Sequence, residues 1–307
     1  MKILLVNKYL YRKGGAETYF IKLGEYLKSL GNEVEYFGMA DERNCVENRV
    51  EAYTENIDFH KKSLKHITYP FKIIYSVNAR KQIRKVLSDF KPDVVHLNNF
   101  NYQLTPSIIY EIKKHNIPIV YTAHDVQLVC PNHKLKNDYT YGLCRKCDGG
   151  KYFECVKNNC VHSSKIRSIL GAVEAWYYKL RHTYKMIDLT VCPSEFMEKE
   201  ISRNDDINGR TVTMYNFIDE IKPLGAECEN YVLYFGRYSE EKGILNLVKA
   251  AKKLSNIPFV FAGKGELENE VNSADNIKNV GFKTGDELRN IIEKALFTVL
   301  PAEWSEN

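Results

Sequence analysis

The sequence predicts an α/β protein made of two parallel-sheet units in tandem. Short apolar strands alternate with helical stretches along nearly the whole chain, the pattern of β-α-β crossovers. A polar stretch at residues 220–230 separates two such series. The length of 307 residues also exceeds the roughly 250–300 at which a single core stops growing.

The first strand is Lys2–Asn7. A helix over Ala16–Leu30 follows, with Ala16, Tyr19, Phe20, Leu23, Tyr26, Leu27 and Leu30 on one face and Gly31 as its stop. Further strands are expected at Glu33–Phe37, Asp93–Leu97, Pro118–Ala123 and Leu189–Pro193, with a helix at Pro106–His115. The second series opens with Tyr231–Gly236. It continues as helix Gly243–Leu254, strand Pro258–Ala262, helix Leu267–Ala274, strand Lys278–Gly281, helix Asp286–Lys294 and strand Leu296–Leu300. Residues 1–219 are therefore read as one Rossmann-like domain carrying a Cys-rich insertion at 125–163. Residues 220–230 are read as a linker and 231–307 as a second, incomplete Rossmann-like domain.

No apolar run approaches the ~18 residues of a membrane-spanning helix, and the N-terminal run is too short for a signal peptide; a cytoplasmic protein is expected. Charge is unevenly placed. Residues 1–200 carry 31 Lys and Arg against 22 Asp and Glu, whereas residues 228–307 carry 10 against 12. Nine basic residues fall within Lys61–Lys91 beside one acid, Asp89. Such an excess fits an anionic surface such as membrane phospholipid, a nucleic acid or a plain solvated face.

Five segments carry candidate chemistry. Gly14-Gly15 lies between the first strand and the first helix, where free amides favour an anion; a Gly-Gly pair also serves as a tight turn. It is not the G-x-G-x-x-G fingerprint, which disfavours a nicotinamide or flavin. His124-Asp125 ends a strand, at the edge where open sheets bind ligands, which suits binding or proton handling or, equally, a histidine hydrogen-bonded to a neighbouring carbonyl. Gly236-Arg237-Tyr238-Ser239-Glu240-Glu241-Lys242-Gly243 joins the second series' first strand to its first helix. Arg237 and Lys242 there make a phosphate cradle with the helix start. Gly263 and Gly265 follow the next strand and allow either close backbone approach to a nucleotide or an ordinary turn. Glu306 lies in the segment after the last strand.

In this order the segments resemble the family 4 glycosyltransferases. The matches are Gly14/Gly15, His124, Asn216 to Asp219, Arg237 with Lys242, Gly263 to Glu266, and Glu306 as the first of two Glu residues separated by seven others. The resemblance implies the GT-B fold and a retaining transfer from a UDP- or GDP-sugar to a hydroxyl of a saccharide or lipid-linked acceptor. No catalytic metal is expected. Arg237 and Lys242 would neutralise the leaving diphosphate, His124 would meet the sugar or acceptor, and Glu306 would lie near the transferred sugar. The second Glu would fall at position 314, so the chain is expected to be C-terminally truncated and inactive alone. Two rivals are a GT-B-shaped epimerase or phosphorylase and a non-enzymatic, metal-stabilised binding module. No stacked-aromatic RNA motif or C2H2 spacing appears, so nucleic acid is not an expected partner.

Cys130, Cys144, Cys147, Cys155 and Cys160 crowd one segment. Cys144-x2-Cys147, with His133 and His162 nearby, is half of a zinc site; soft thiolates select zinc or an iron–sulfur cluster, and a structural zinc is expected, against reduced thiols as the alternative. Lys61–Lys91 and Lys165–Lys185 mix cations with aromatics, which suits peripheral contact with an anionic membrane at the inner face of the cell membrane or, residue by residue, core packing.

Overall fold

The computed structural model describes residues 1–56, 69–137, 142–218 and 225–302. It divides into two units, Met1–Phe217 and a second beginning at Ile218. The first unit is a six-stranded sheet in the order β2-β1-β3-β4-β5-β6. Its strands are β1 (Lys2–Val6), β2 (Glu33–Phe37), β3 (Val94–Leu97), β4 (Ile119–Thr122), β5 (Leu189–Cys192) and β6 (Thr211–Thr213). Every pairing is parallel.

β1 reads as an unbroken apolar run because both of its faces are covered. Leu4 and Val6 join the cluster that includes Ile83 and Leu87 of α3 (Val77–Phe90) and Ile108 and Ile112 of α4 (Ser107–Lys114). Ile3 and Leu5 pack on the other face with Phe20 and Ile21 of α1 (Gly15–Ser29). The remaining helices of this unit are α2 (Tyr69–Ile74), α5 (Phe153–Lys157), α6 (Lys165–Leu180) and α7 (Glu195–Ile201).

The second unit is a parallel sheet in the order β10-β7-β8-β9. It comprises β7 (Val232–Arg237), β8 (Phe259–Lys264), β9 (Ile277–Asn279) and β10 (Phe297–Thr298), with α8 (Ile244–Lys253), α9 (Glu268–Val271) and α10 (Gly285–Lys294). Two parallel α/β units, the second smaller, are the expected fold class. The elements differ in detail. α9 is one turn rather than the helix expected over Leu267–Ala274, and β10 pairs through two residues only. α7 and β6 were not foreseen, although Ser194 caps α7 by accepting the Met197 N–H. Seven residues are too few for helical periodicity to show. Among the described residues, no helix is long and apolar enough to cross a membrane.

The basic run Lys61–Lys91 lies outside the described residues before Tyr69. Beyond it, part of the charge is used internally. Glu111 of α4 has a side chain only 2% exposed and accepts from Arg80 at 2.8 Å and Arg84 at 2.6 Å, both on α3. Its carboxyl is held down to about 2, chiefly by the Arg84 hydrogen bond, with burial opposing and Arg80 adding. A depressed carboxylate stabilises the fold above its ordinary value of 4.5, and that contribution is lost as pH falls from there towards 2. Glu111→Gln should therefore cost about 1.5–3 kcal/mol at pH 7 and progressively less below pH 4.5. Urea midpoints at pH 7 and pH 3 measure this; an unchanged midpoint at pH 7 contradicts it.

Candidate functional site

In the first unit the strand order turns about β1, with β2 on one side and β3 to β6 on the other. Ligands of open parallel sheets bind beyond the carboxyl ends of the strands at such a switch. Asn7, fully buried, closes that point. Its N–H donates to the Phe37 carbonyl at the end of β2, and its Oδ1 accepts the Asn99 N–H beyond β3. The next residue, Lys8, donates its N–H to the Asn99 carbonyl and its Nζ to Asn101 Oδ1 at 2.7 Å. Burial lowers the pKa of this ammonium.

His124, beyond β4, sits 2.9 Å from Asn98 Oδ1, with the Tyr19 ring edge-on at 5.3 Å. Burial pushes its imidazole down to about 4, against a small opposing effect of Asp125. His96 on β3 contacts Thr122 Oγ1 at 2.7 Å and is likewise lowered to about 4 by burial. Asn98 Nδ2 is buried and makes no hydrogen bond among the described residues. Asp125 accepts the Gln127 N–H at 2.8 Å and lies 3.5 Å from His133 Nδ1. Burial raises this carboxyl, but His133, the Gln127 N–H and Lys8 outweigh it and leave it below its usual range. The His133 ring stacks on Tyr102 at 5.6 Å. Gly14 and Gly15 lead into α1, whose first turn has no side-chain cap. A Cβ built on Gly15 would meet nothing within 4 Å, so that turn leaves room for a ligand.

In the second unit the order turns between β7 and β10. Arg237 ends β7 and pairs in register with Lys264, which ends β8. Arg237 is exposed, with Glu241 Oε1 at 3.9 Å. Lys242 closes a single 3-10 turn, and Gly243 follows at φ 71°, a left-handed conformation that suits glycine, to start α8. The expectation for Gly263 and Gly265 was a choice between nucleotide approach and a turn; their immediate role is packing. A Cβ at Gly263 would stand 1.9 Å from the Gly236 carbonyl oxygen, and one at Gly265 would stand 2.2 Å from that of Tyr238. Glu306 lies outside the described residues.

All five cysteines of the insertion line one small cavity. Cys130 Sγ donates to Asn132 Oδ1, and Asn137 Nδ2 donates to Cys144 Sγ at 3.2 Å. Burial and the neighbouring sulfurs push Cys147 up to about 12. Among the described residues, no three His, Cys, Asp or Glu side chains are arranged to hold a metal ion.

Sequence reasoning does not select Asn7, Lys8, Asn98, Asn101 or Lys264, and it places His133 beside the cysteines rather than at Asp125. The Asn-rich run Asn98-Asn99-Phe100-Asn101 directly after a strand was the available signal.

A family model described as Glycosyltransferase Family 4 matches residues 13–221. The chain belongs to that family. A second model, glycosyl transferases group 1, matches residues 217–307 of this glycosyltransferase. It is 26% identical to an uncharacterized 42.6 kDa protein in the cps region of Klebsiella pneumoniae, over all of this chain and 80% of that protein. Its fold is similar to that of the Anabaena HepE protein in complex with UDP and glucose, with a TM-score of 0.61 and 15% identity over 100% of this chain and 75% of the other. Sucrose-phosphate synthase from Thermosynechococcus elongatus is comparable, with a TM-score of 0.64 and 14% identity over 100% and 76%. These neighbours share the GT-B glycosyltransferase fold.

Both buried histidines have folded values near 4, below their ordinary 6.5. Their neutral forms therefore stabilise the fold above pH 6.5, and that contribution is lost as pH falls to about 4. NMR titration should find His96 and His124 uncharged down to pH 5. Protonation of either at pH 6 would contradict their burial as the controlling effect.

Proposed function

We propose that this glycosyltransferase moves a hexose-type sugar, with retention, from a UDP- or GDP-sugar to a hydroxyl of a cell-envelope saccharide or lipid-linked acceptor. The observation that carries this reading is that Arg237 and Lys264 stand in register at the paired ends of β7 and β8, with Lys242 in the turn from β7 into α8. A departing nucleoside diphosphate gathers negative charge, and fixed cations there stabilise it most when the bond to the sugar has broken. HepE, with UDP and glucose bound, makes UDP-glucose a sensible first donor to test.

In the first unit, His124 would act as a neutral hydrogen-bonding group rather than a cation. With the Asn98 amide beside it, it is suited to sugar hydroxyls and unsuited to phosphate. Gly14 and Gly15, at the uncapped start of α1, would meet the donor's phosphates through backbone N–H groups. Glu306 would lie near the transferred sugar. The reaction would take place in the cytoplasm, against the membrane where a lipid-linked acceptor is held.

In a parent protein that includes the second Glu, Arg237→Ala and Lys242→Ala should each lower kcat by roughly 10- to 150-fold, the equivalent of about 1.5–3 kcal/mol for a charge-assisted contact, with circular dichroism unchanged. Near-normal turnover in both variants would sink the diphosphate assignment.

The proposal extends to the insertion. Four of its five cysteines would hold a structural zinc as thiolates. Their common cavity supports this, as do the backbone N–H groups of Asn132, Lys134 and Leu135 directed at the Cys130 sulfur. As thiols they do not converge on one point; metal binding displaces the thiol protons and couples site formation to folding of the segment. Elemental analysis under reducing conditions should find about one zinc per chain, reduced in Cys144→Ser and Cys147→Ser. Protein free of zinc and iron would remove this part of the reading.

A further inference from the structure

α6 follows the cysteine segment and is only half absorbed by the core. Ser168, Ala172 and Tyr178 turn inward. Ile166, Ile169, Val173, Trp176 and Leu180, spaced 3-4-3-4, fall within about 80° of one another at 3.6 residues per turn. All five are exposed, from 37% for Trp176 to 79% for Leu180. Phe153 of α5, 62% exposed, lies across from them. Phe153, Ile169, Val173 and Trp176 wall an open groove with Lys157 and Lys165 at its side and no carboxylate lining it, and Ile166 and Leu180 continue the exposed stripe beyond it.

An apolar stripe of this size on a water-facing helix calls for an occupant, and the surrounding charge selects one. Residues 146–185 contain eight Lys and Arg against three acids, Asp148, Glu154 and Glu174. Asp148 is ion-paired with Arg203, and the Glu174 carboxyl is buried. The field beside the stripe is therefore strongly positive. Trp176 has already satisfied its polar edge, donating Nε1–H to the Gly150 carbonyl at 3.0 Å, which leaves the ring as apolar surface.

We infer that the α6 stripe, with Phe153 and the lysines beside it, is a docking face for an anionic phospholipid bilayer, lying in the interface with its cations at headgroup level. This deepens the acceptor half of the proposed function and rests on it for the purpose the docking serves. The 3-4-3-4 spacing also fits the seam of a coiled coil, so a second copy of the chain is the competing occupant. The cations argue against a second copy, since two such faces brought together would set like charges opposite one another.

Co-sedimentation of the full chain with vesicles of phosphatidylcholine alone, and of phosphatidylcholine mixed with phosphatidylglycerol, tests the inference. The expected result is at least tenfold stronger partitioning to the anionic vesicles, abolished by high salt. In a Trp304→Phe background, Trp176 emission should shift to shorter wavelength on those vesicles. Ile166→Glu with Leu180→Glu, both at highly exposed positions, should remove binding while leaving the circular dichroism spectrum and thermal midpoint in place. No partitioning, equal partitioning to both vesicle types, or full binding by the double variant would overturn the inference. So would light scattering that finds a dimer dissolved by the same two changes. Calorimetry with UDP-glucose is read separately, so failure of donor binding counts against the transfer reaction and leaves the vesicle result standing.

Discussion

Asn7 holds together the strand ends around which the first unit's order reverses. Parallel strands end with backbone groups that the ladder no longer pairs, and where the strand order reverses, three such ends meet around β1. A single buried amide answers most of that demand. Its backbone N–H reaches the end of β2, its Oδ1 takes the N–H beyond β3, and its Nδ2 donates to the Tyr9 carbonyl at 2.7 Å. Because buried backbone groups must be paired, the chain beyond β1 has little freedom, and Lys8 is delivered to Asn101. Asp125, His133 and Tyr102 then gather beside that pair, and His124 with Asn98 completes the edge.

The two units prepare their strand ends differently. In the first, burial keeps the imidazoles of His96 and His124 neutral and sets them beside amides and one carboxylate. In the second, Arg237 and Lys264 stand exposed at the ends of paired strands, and Gly263 and Gly265 let the backbone of those strands approach closely. A side chain at either position would meet the facing backbone and force the β7 and β8 ends apart. A glycine-rich turn in a sequence can therefore mark a ligand or a tight backbone contact, and here the backbone contact is present whatever binds.

α6 shows how one helix can answer to two environments. Its inward face is made of small and aromatic residues that fit the core, while its outward face keeps aliphatic side chains in water. Composition alone marked the region as basic and aromatic. Only the assignment of each residue to a side of the helix separates Tyr178, which is fully buried, from Ile166 and Leu180, which are not.

The sequence by itself determined the two-unit α/β architecture, the extents of most strands within a residue or two, the positions of Gly14, Gly15, Arg237 and Lys242 between a strand and a helix, and that of His124 just beyond a strand. Those features follow from local periodicity and from which residues can turn or bear charge, and such information is written along the chain. The brevity of α9 and β10, and the existence of α7, escaped because segments of so few residues hold too little periodicity to read. Tertiary structure alone decided that Lys8, Asn98, Asn101 and His133 join His124, that Arg80 and Arg84 are spent on Glu111, and that five cysteines share one cavity. Those groupings depend on strand order and on residues tens of positions apart meeting in space, which no local pattern encodes.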